Sequence, residues 1–278
     1  MRIDDVAGPA SLQEAMAYLK RRPDAVPWAG GTLIAADAAE LGRNGAVAAL
    51  DLHRIPELRH LFPSDRYLEV GACVSLNQLA ALPDRRVAAP LKAAAAAVGS
   101  CAIRNMATLG GNLAAKARPM STLPALSCVD AVLELRSPAG GRWLSVHGLV
   151  GPDGRVALPQ ATLVTRIRVG LQSWDSVEFR LCGGGPYPHP DAAAFCACAR
   201  ASTGTLGELR VAYAARALVR SREAETELVG RRLPLPRRDI DAFGAALARR
   251  ARELGQGEAA VAECTRLARA YLNKLSEV

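Results

Sequence analysis

The sequence predicts an α+β protein, and three observations predict it. Short helical and strand-like segments alternate through the first third of the chain. Strand-like runs joined by Gly-rich turns follow, and the chain closes on long amphipathic helical stretches. Half of the 278 residues are hydrophobic, enough for a sizeable core, while only 4% are aromatic, so Ala, Leu and Val must build that core. This order does not describe a doubly wound sheet.

Each element has its own signal. Ser11-Leu12-Gln13-Glu14 reads as a capping box, and Leu12, Ala15, Met16 and Leu19 fall at helical spacing behind it. After Pro23 the chain is extended through Trp28 and Ala29. The runs 46–52 and 67–72 read as strands, and Ser75-Leu76-Asn77-Gln78 is a second capping box whose helix Pro83 ends. The Ala-rich stretch 91–98 is helical, with Gly99 as its C-cap. Segments 129–136 and 142–146 flank Ser-Pro-Ala-Gly-Gly, a hairpin signal, and 163–169 is a further strand. The run Gly183 to Pro190 marks a loop or boundary. Strands at 192–198 and 209–214 precede helices at about 221–229, 239–254 and 258–275.

Composition excludes several function classes. The net charge is +8, but the basic clusters are short and no aromatic residues interleave with them, so a nucleic-acid surface is not expected. Seven cysteines include no CxxC pair; the closest are Cys196 and Cys198. A disulfide framework, a structural zinc or an iron–sulfur cluster held by this chain alone is therefore not expected. His53, His60, His147 and His189 show no metal spacing. No apolar leader or membrane span is read, and a reducing, cytoplasmic location is the expectation.

Two segments carry the chemistry: Trp28-Ala29-Gly30-Gly31-Thr32-Leu33-Ile34, and Ile103-Arg104-Asn105-Met106-Ala107-Thr108-Leu109-Gly110-Gly111-Asn112-Leu113. Each is expected to place a Gly-Gly pair directly after an extended run. Without Cβ atoms, consecutive N–H groups can turn toward one point and form an anion-binding nest. Thr32, Thr108 and Asn112 lie beside the glycines and can add donors. Two such nests facing each other suit a pyrophosphate. Either segment alone reads as a tight turn; the pair in this order and spacing is more specific.

These segments resemble the FAD-binding subunit of the molybdenum hydroxylases, the group that includes carbon monoxide dehydrogenase and xanthine dehydrogenase. Ala29 to Thr32 and Thr108 to Asn112 match that family's two pyrophosphate loops, with Arg104-Asn105 ahead of the second. Ile55 to Leu58, Gly71-Ala72, Pro124 to Leu126, Asp130-Ala131 and Ala224-Glu225 to Gly230 extend the likeness along nearly the whole chain. The resemblance implies a two-lobed FAD-binding domain of the FAD-linked oxidase (PCMH-like) type over residues 1–170, with lobes of about 1–60 and 61–170. A smaller sheet-plus-helices domain over 171–278 would follow.

The resemblance also implies FAD as cofactor, held by Trp28 to Ile34, Val98, Thr108, Gly110, Gly111, Asn112, Ser121, Val164 and Arg180. Its implied partners are an iron–sulfur subunit with two [2Fe–2S] clusters and a large molybdopterin subunit. FAD here would accept electrons from the clusters and pass them to an external acceptor. There are departures. Leu33 stands where family members commonly have Asp. Ser121 or Thr122 replaces a second Asp, and Arg180 takes the place of a Lys. These departures motivate an alternative, a flavin-free structural subunit that keeps the fold. A stand-alone FAD-linked oxidase ranks below both, because no covalent flavin attachment motif is evident.

Overall fold

A computed structural model describes residues 2–35, 46–115, 121–183 and 192–275. The Gly183–Pro190 loop falls almost entirely outside the described residues, and so do His189 and Asp191. Three sheets organise the chain. The first is parallel and three-stranded, order β1-β3-β2, from β1 (Arg2–Ala7), β2 (Val26–Trp28) and β3 (Ala46–Asp51). Helix α1 (Leu12–Arg21) connects β1 to β2, capped by the Ser11 hydroxyl as expected. The Glu14 carboxylate reaches back to the Ala10 N–H rather than to Ser11. Strand β1 has no apolar alternation in sequence, because it is an edge strand with Ile3 and Val6 exposed.

The second sheet is antiparallel. It contains β4 (Leu61–Pro63), β5 (Tyr67–Gly71), β6 (Val132–Ser137), β7 (Gly140–Ser145) and β8 (Leu163–Gly170), in the order β4-β5-β8-β6-β7. Between β5 and β6 lies a helical layer: α2 (Leu76–Ala80), α3 (Ala89–Ala97), α4 (Cys101–Met106), α5 (Leu109–Leu113) and α6 (Thr122–Cys128). The Ser75–Gln78 capping box forms with both of its hydrogen bonds. Gly99 takes φ +47 after α3, as a C-terminal glycine should.

The third sheet, β9 (Ser176–Cys182), β10 (Ala193–Ser202), β11 (Thr205–Ala214) and β12 (Leu218–Val219), is antiparallel in the order β12-β11-β10-β9. Helices α7 (Arg222–Leu228), α8 (Arg237–Glu253) and α9 (Glu258–Lys274) complete the chain. Strand β10 is buried on both faces, which explains its unbroken run of Ala, Phe and Cys. Cys196 and Cys198 face the core shared with α6, while Phe195, Ala197 and Ala199 face the core built on α8 and α9. The third sheet is thus packed between the helical layer and the terminal helices. All seven cysteines are free thiols. Among the described residues, no helix is long and apolar enough to cross a membrane.

The outward face of the second sheet carries an ion network. Glu69 and Glu134 are buried there, at 7% and 4% exposure. Arg166 bonds both, Arg168 bonds Glu69, and Arg136 and Thr165 bond Glu134. The Arg168 guanidinium lies over the rings of Tyr67 and Trp143. Burial alone would raise the Glu134 carboxyl, but hydrogen bonds from Arg166, Thr165 and Arg136 outweigh it and hold the pKa at about 2. A depressed folded-state pKa gives stability that is complete above the ordinary value of 4.5 and is lost as pH falls toward 2. Glu134→Gln is expected to cost roughly 2 kcal/mol at neutral pH. In thermal melts, that deficit should shrink as the pH falls from 4.5 to about 2. A deficit independent of pH would mean that the carboxylate charge is not what stabilises this face.

Candidate functional site

The first glycine loop leaves the C-terminal end of β2, where Trp28 sits in register with Asp51 of β3. Gly31 adopts φ +67, the left-handed conformation that its turn requires. A Cβ at Gly31 would also lie 2.5 Å from the Trp28 indole nitrogen, so the indole occupies the space that a side chain would need. A helical turn begins at Thr32, with Ala35 N donating to Gly31 O at 2.9 Å. The N–H groups of Gly30, Gly31, Thr32, Leu33 and Ile34 donate to no described residue. Unengaged donors at the start of a helical turn are a favourable anion environment.

The second loop differs from its sequence reading. Helix α4 runs to Met106, only Ala107 and Thr108 are extended, and α5 continues through both glycines. An extended run therefore precedes the Gly-Gly pair in the first loop alone. The second pair is not an open nest, because four successive N–H groups have partners within the chain. Leu109 donates to Val74 O at 3.0 Å, Gly110 to Ala72 O at 2.8 Å, and Asn112 to Thr108 O at 2.9 Å. Gly111 donates to the Thr108 hydroxyl at 3.1 Å. These residues form a capped helical turn, and the donors expected there for a ligand are engaged.

The glycines of this loop instead permit close approach. A Cβ on Gly110 would lie 2.6 Å from the Cβ of Ala72. Ala72 is fixed in turn by Gly71, where a Cβ would meet Leu58 O at 2.4 Å. A Cβ on Gly30 of the first loop would lie 1.8 Å from Met106 O and 3.1 Å from the Ala107 Cα. The two loops therefore meet backbone to backbone, and Gly30 is the residue that allows it. A Cβ on Gly111 would meet only the Thr108 hydroxyl, at 2.8 Å, with open space beyond.

Asn112 is buried, and its Oδ1 accepts from the Thr122 N–H at 3.1 Å and the Thr122 hydroxyl at 2.6 Å. Its carbonyl thus serves α6. Of the two residues at the position of the family's Asp, Thr122 is fully buried in this pairing, whereas the half-buried Ser121 caps nothing with its hydroxyl. Val98 is the C-cap of α3, and Arg104 donates to its carbonyl at 3.2 Å and to Gly99 O at 2.7 Å. The Arg104 Nε is buried beside the second loop without a hydrogen-bond partner. Val164 is buried next to Thr165, whose carbonyl accepts from Ala72, the residue under Gly110.

Arg180 does not join them. It pairs in register with Phe195, so it shares the sheet face that packs on the terminal helices. Its Nε bonds Glu178, which is also held by Lys274 of α9. The neighbours that turn toward the first core are Val177 and Phe179. Position along the strand does not reveal the face, and the register puts Arg180 on the side away from the loops. Ala72 and Met106 are the contacts that the sequence did not flag. Nothing in an alanine or a methionine marks it as the surface against which a distant glycine packs.

A family model described as the FAD binding domain in molybdopterin dehydrogenase matches residues 2–171. The chain belongs to this family. It is 26% identical over 242 residues to the xanthine dehydrogenase FAD-binding subunit of Escherichia coli O157:H7, covering 84% of this chain and 81% of that protein. It is 26% identical over 240 residues to the nicotinate dehydrogenase FAD-subunit of Eubacterium barkeri, covering 80% and 78% of the two chains. The fold is similar to that of a chain in the carbon monoxide dehydrogenase structure from Hydrogenophaga pseudoflava. That match has a TM-score of 0.83 at 24% identity, covering 98% of this chain and 96% of the other. A chain of quinoline 2-oxidoreductase from Pseudomonas putida 86 matches with a TM-score of 0.80 at 21% identity, covering 99% and 100%.

The residues present fit the family's cofactor at the first loop, where the N–H groups of residues 30–34 donate to no described residue. The two kinds of glycine separate in experiment. Gly30→Ala and Gly110→Ala press a Cβ onto neighbouring backbone, so each should lower stability by roughly 1–3 kcal/mol. Gly111→Ala should cost less, because its one close neighbour is a hydroxyl that can rotate. Chemical denaturation checks the order, and equal losses in all three would contradict the packing roles. Arg180→Ala should leave FAD affinity unchanged in a flavin titration.

Proposed function

We propose that this chain is the FAD-binding electron-transfer subunit of a multi-subunit molybdenum hydroxylase. In that assembly it works beside an iron–sulfur subunit with two [2Fe–2S] clusters and a large molybdopterin subunit. FAD, when bound, supplies the redox chemistry that links the clusters to an external acceptor. The chain's own part is to hold and orient that group. The observation that carries the reading is the backbone contact of Gly30 with Met106, which brings N–H groups of residues 30–34, unengaged among the described residues, beside the second loop. The family match and the names of the relatives from Escherichia coli O157:H7 and Eubacterium barkeri support the same assignment. A cytoplasmic location belongs to this reading, supported by seven unpaired thiols.

One observation favours the flavin-free alternative: the N–H groups of residues 109–112 already have partners. Visible absorbance of the purified chain and titration of the stripped chain with FAD separate the two. The expected result is a bound flavin in the parent. Gly111→Val should fold and lose FAD, because its side chain enters the open space beyond Thr108. Ser121→Asp should tighten FAD binding roughly tenfold by adding a charged acceptor for a ribose hydroxyl. No flavin binding in the parent would establish the flavin-free reading. Full FAD retention in Gly111→Val would remove the second loop from the site.

A further inference from the structure

Helix α6 is held at both ends by side chains from other parts of the chain. At its first turn, Asn112 accepts from the Thr122 N–H and hydroxyl. At its last turn, Arg220 Nη1 donates to the Ser127 carbonyl, setting a cation on the negative end of the helix. The chain leaves α6 through a Schellman turn, with Asp130 N on Ser127 O at 3.2 Å and Ala131 N on Leu126 O at 3.0 Å. Such a turn needs a left-handed residue, usually glycine. Here Asp130 takes it, at φ +46.

The Asp130 carboxylate explains the exception. Its Oδ1 lies 2.9 Å from Arg220, 2.6 Å from Arg222 and 3.0 Å from the His147 ring, and its Oδ2 lies 3.3 Å from Arg210. Burial would raise this carboxyl, but His147 and the arginines outweigh it and hold it well below the usual carboxylate range. The Arg220 side chain is itself 4% exposed and is clamped by Glu225 at 2.8 and 3.0 Å. Glu225 accepts in turn from Val211 N at 2.9 Å. So α6 is a strut of one helix, seven residues long, between an ion cluster anchored on the third sheet and the second glycine loop.

We propose that Asp130 and Arg220 are positioning residues for the cofactor: by clamping the C-terminal end of α6 they fix Thr122 against Asn112 and so hold Gly110 and Gly111 in place. This rests on the FAD reading above. It also assigns a role in cofactor affinity to Arg220, which lies outside the stretch of 2–171 that matches the FAD-binding family.

The test uses the full chain and three single variants. Asp130→Gly removes the carboxylate but suits the left-handed backbone, so it keeps the fold. Asp130→Asn tolerates the same backbone and keeps an acceptor without the charge. Leu247→Ala opens a cavity in the core of the terminal helices, away from α6, and reports on general destabilisation. The FAD dissociation constant should rise about tenfold in Asp130→Gly, less in Asp130→Asn, and not at all in Leu247→Ala, although Leu247→Ala lowers the melting temperature. In the stripped proteins, hydrogen exchange at residues 109–113 should quicken in Asp130→Gly and stay at the parent's rate in Leu247→Ala. Unchanged affinity or unchanged exchange in Asp130→Gly overturns the proposal. So does an equal loss of affinity in Leu247→Ala. Failure of the parent itself to bind FAD is a different result: it defeats the cofactor reading, and this inference with it.

Discussion

The approach of Gly30 to the Met106 carbonyl joins a parallel sheet to a helical layer that comes some seventy residues later in the chain. Any side chain at residue 30 would force the two apart, since its Cβ would sit 1.8 Å from that oxygen. The free donors of the first loop matter as a site only because this contact sets them against a second surface. That second surface is rigid for the same kind of reason. Gly110 rests on Ala72, and Gly71 beneath it rests on Leu58. A column of small residues thus runs from the fully buried Leu58 up to the loops. Each step in it has a short backbone contact that a larger residue would break.

The two Gly-Gly pairs therefore do different work despite their likeness in sequence. In the first, Gly31 supplies a left-handed turn and Gly30 a close approach, and the N–H groups of residues 32–34 are unengaged among the described residues. In the second, Thr108 caps a helical turn whose N–H groups bond inward, and Gly111 leaves open space. The first loop is suited to donate to an anion, and the second is suited to let one come close. On the proposed reading, a bound anion would find more unengaged donors at the first loop than at the second.

Much of this was legible from the residues. The α+β class, the Ser11 cap, the Ser75–Gln78 capping box, the β6–β7 hairpin and the terminal helices follow from period and punctuation, and these are local signals. The two glycine segments stood out because two rare local patterns recurred, but only the first follows an extended run as expected. What stayed hidden was non-local. Helix α6 has no sequence period distinct from a buried strand, since all seven of its residues are buried. Strand β1 was missed because an exposed edge strand has no reason to alternate. The face that Arg180 occupies was not legible, because it depends on register with β10, which the sequence of β9 alone does not contain. Asp130 and Arg220 are ninety residues apart, and their ion pair exists only once the third sheet has packed on α6.

The same packing gives a role to some of the chain's many basic residues. The net charge is +8, and six of the described arginines converge on three carboxylates. Asp130 is met by Arg210, Arg220 and Arg222; Glu134 by Arg136 and Arg166; and Glu69 by Arg166 and Arg168. In these clusters one carboxylate serves two or three guanidinium groups and leaves local positive charge in excess. Arginine suits this use: its planar fork can bridge two acceptors at once, as Arg220 does between Asp130 and Glu225. A lysine at that position has one ammonium and could not span both carboxylates and the Ser127 carbonyl with the same rigidity. These six arginines thus tie the small-residue core together at its edges.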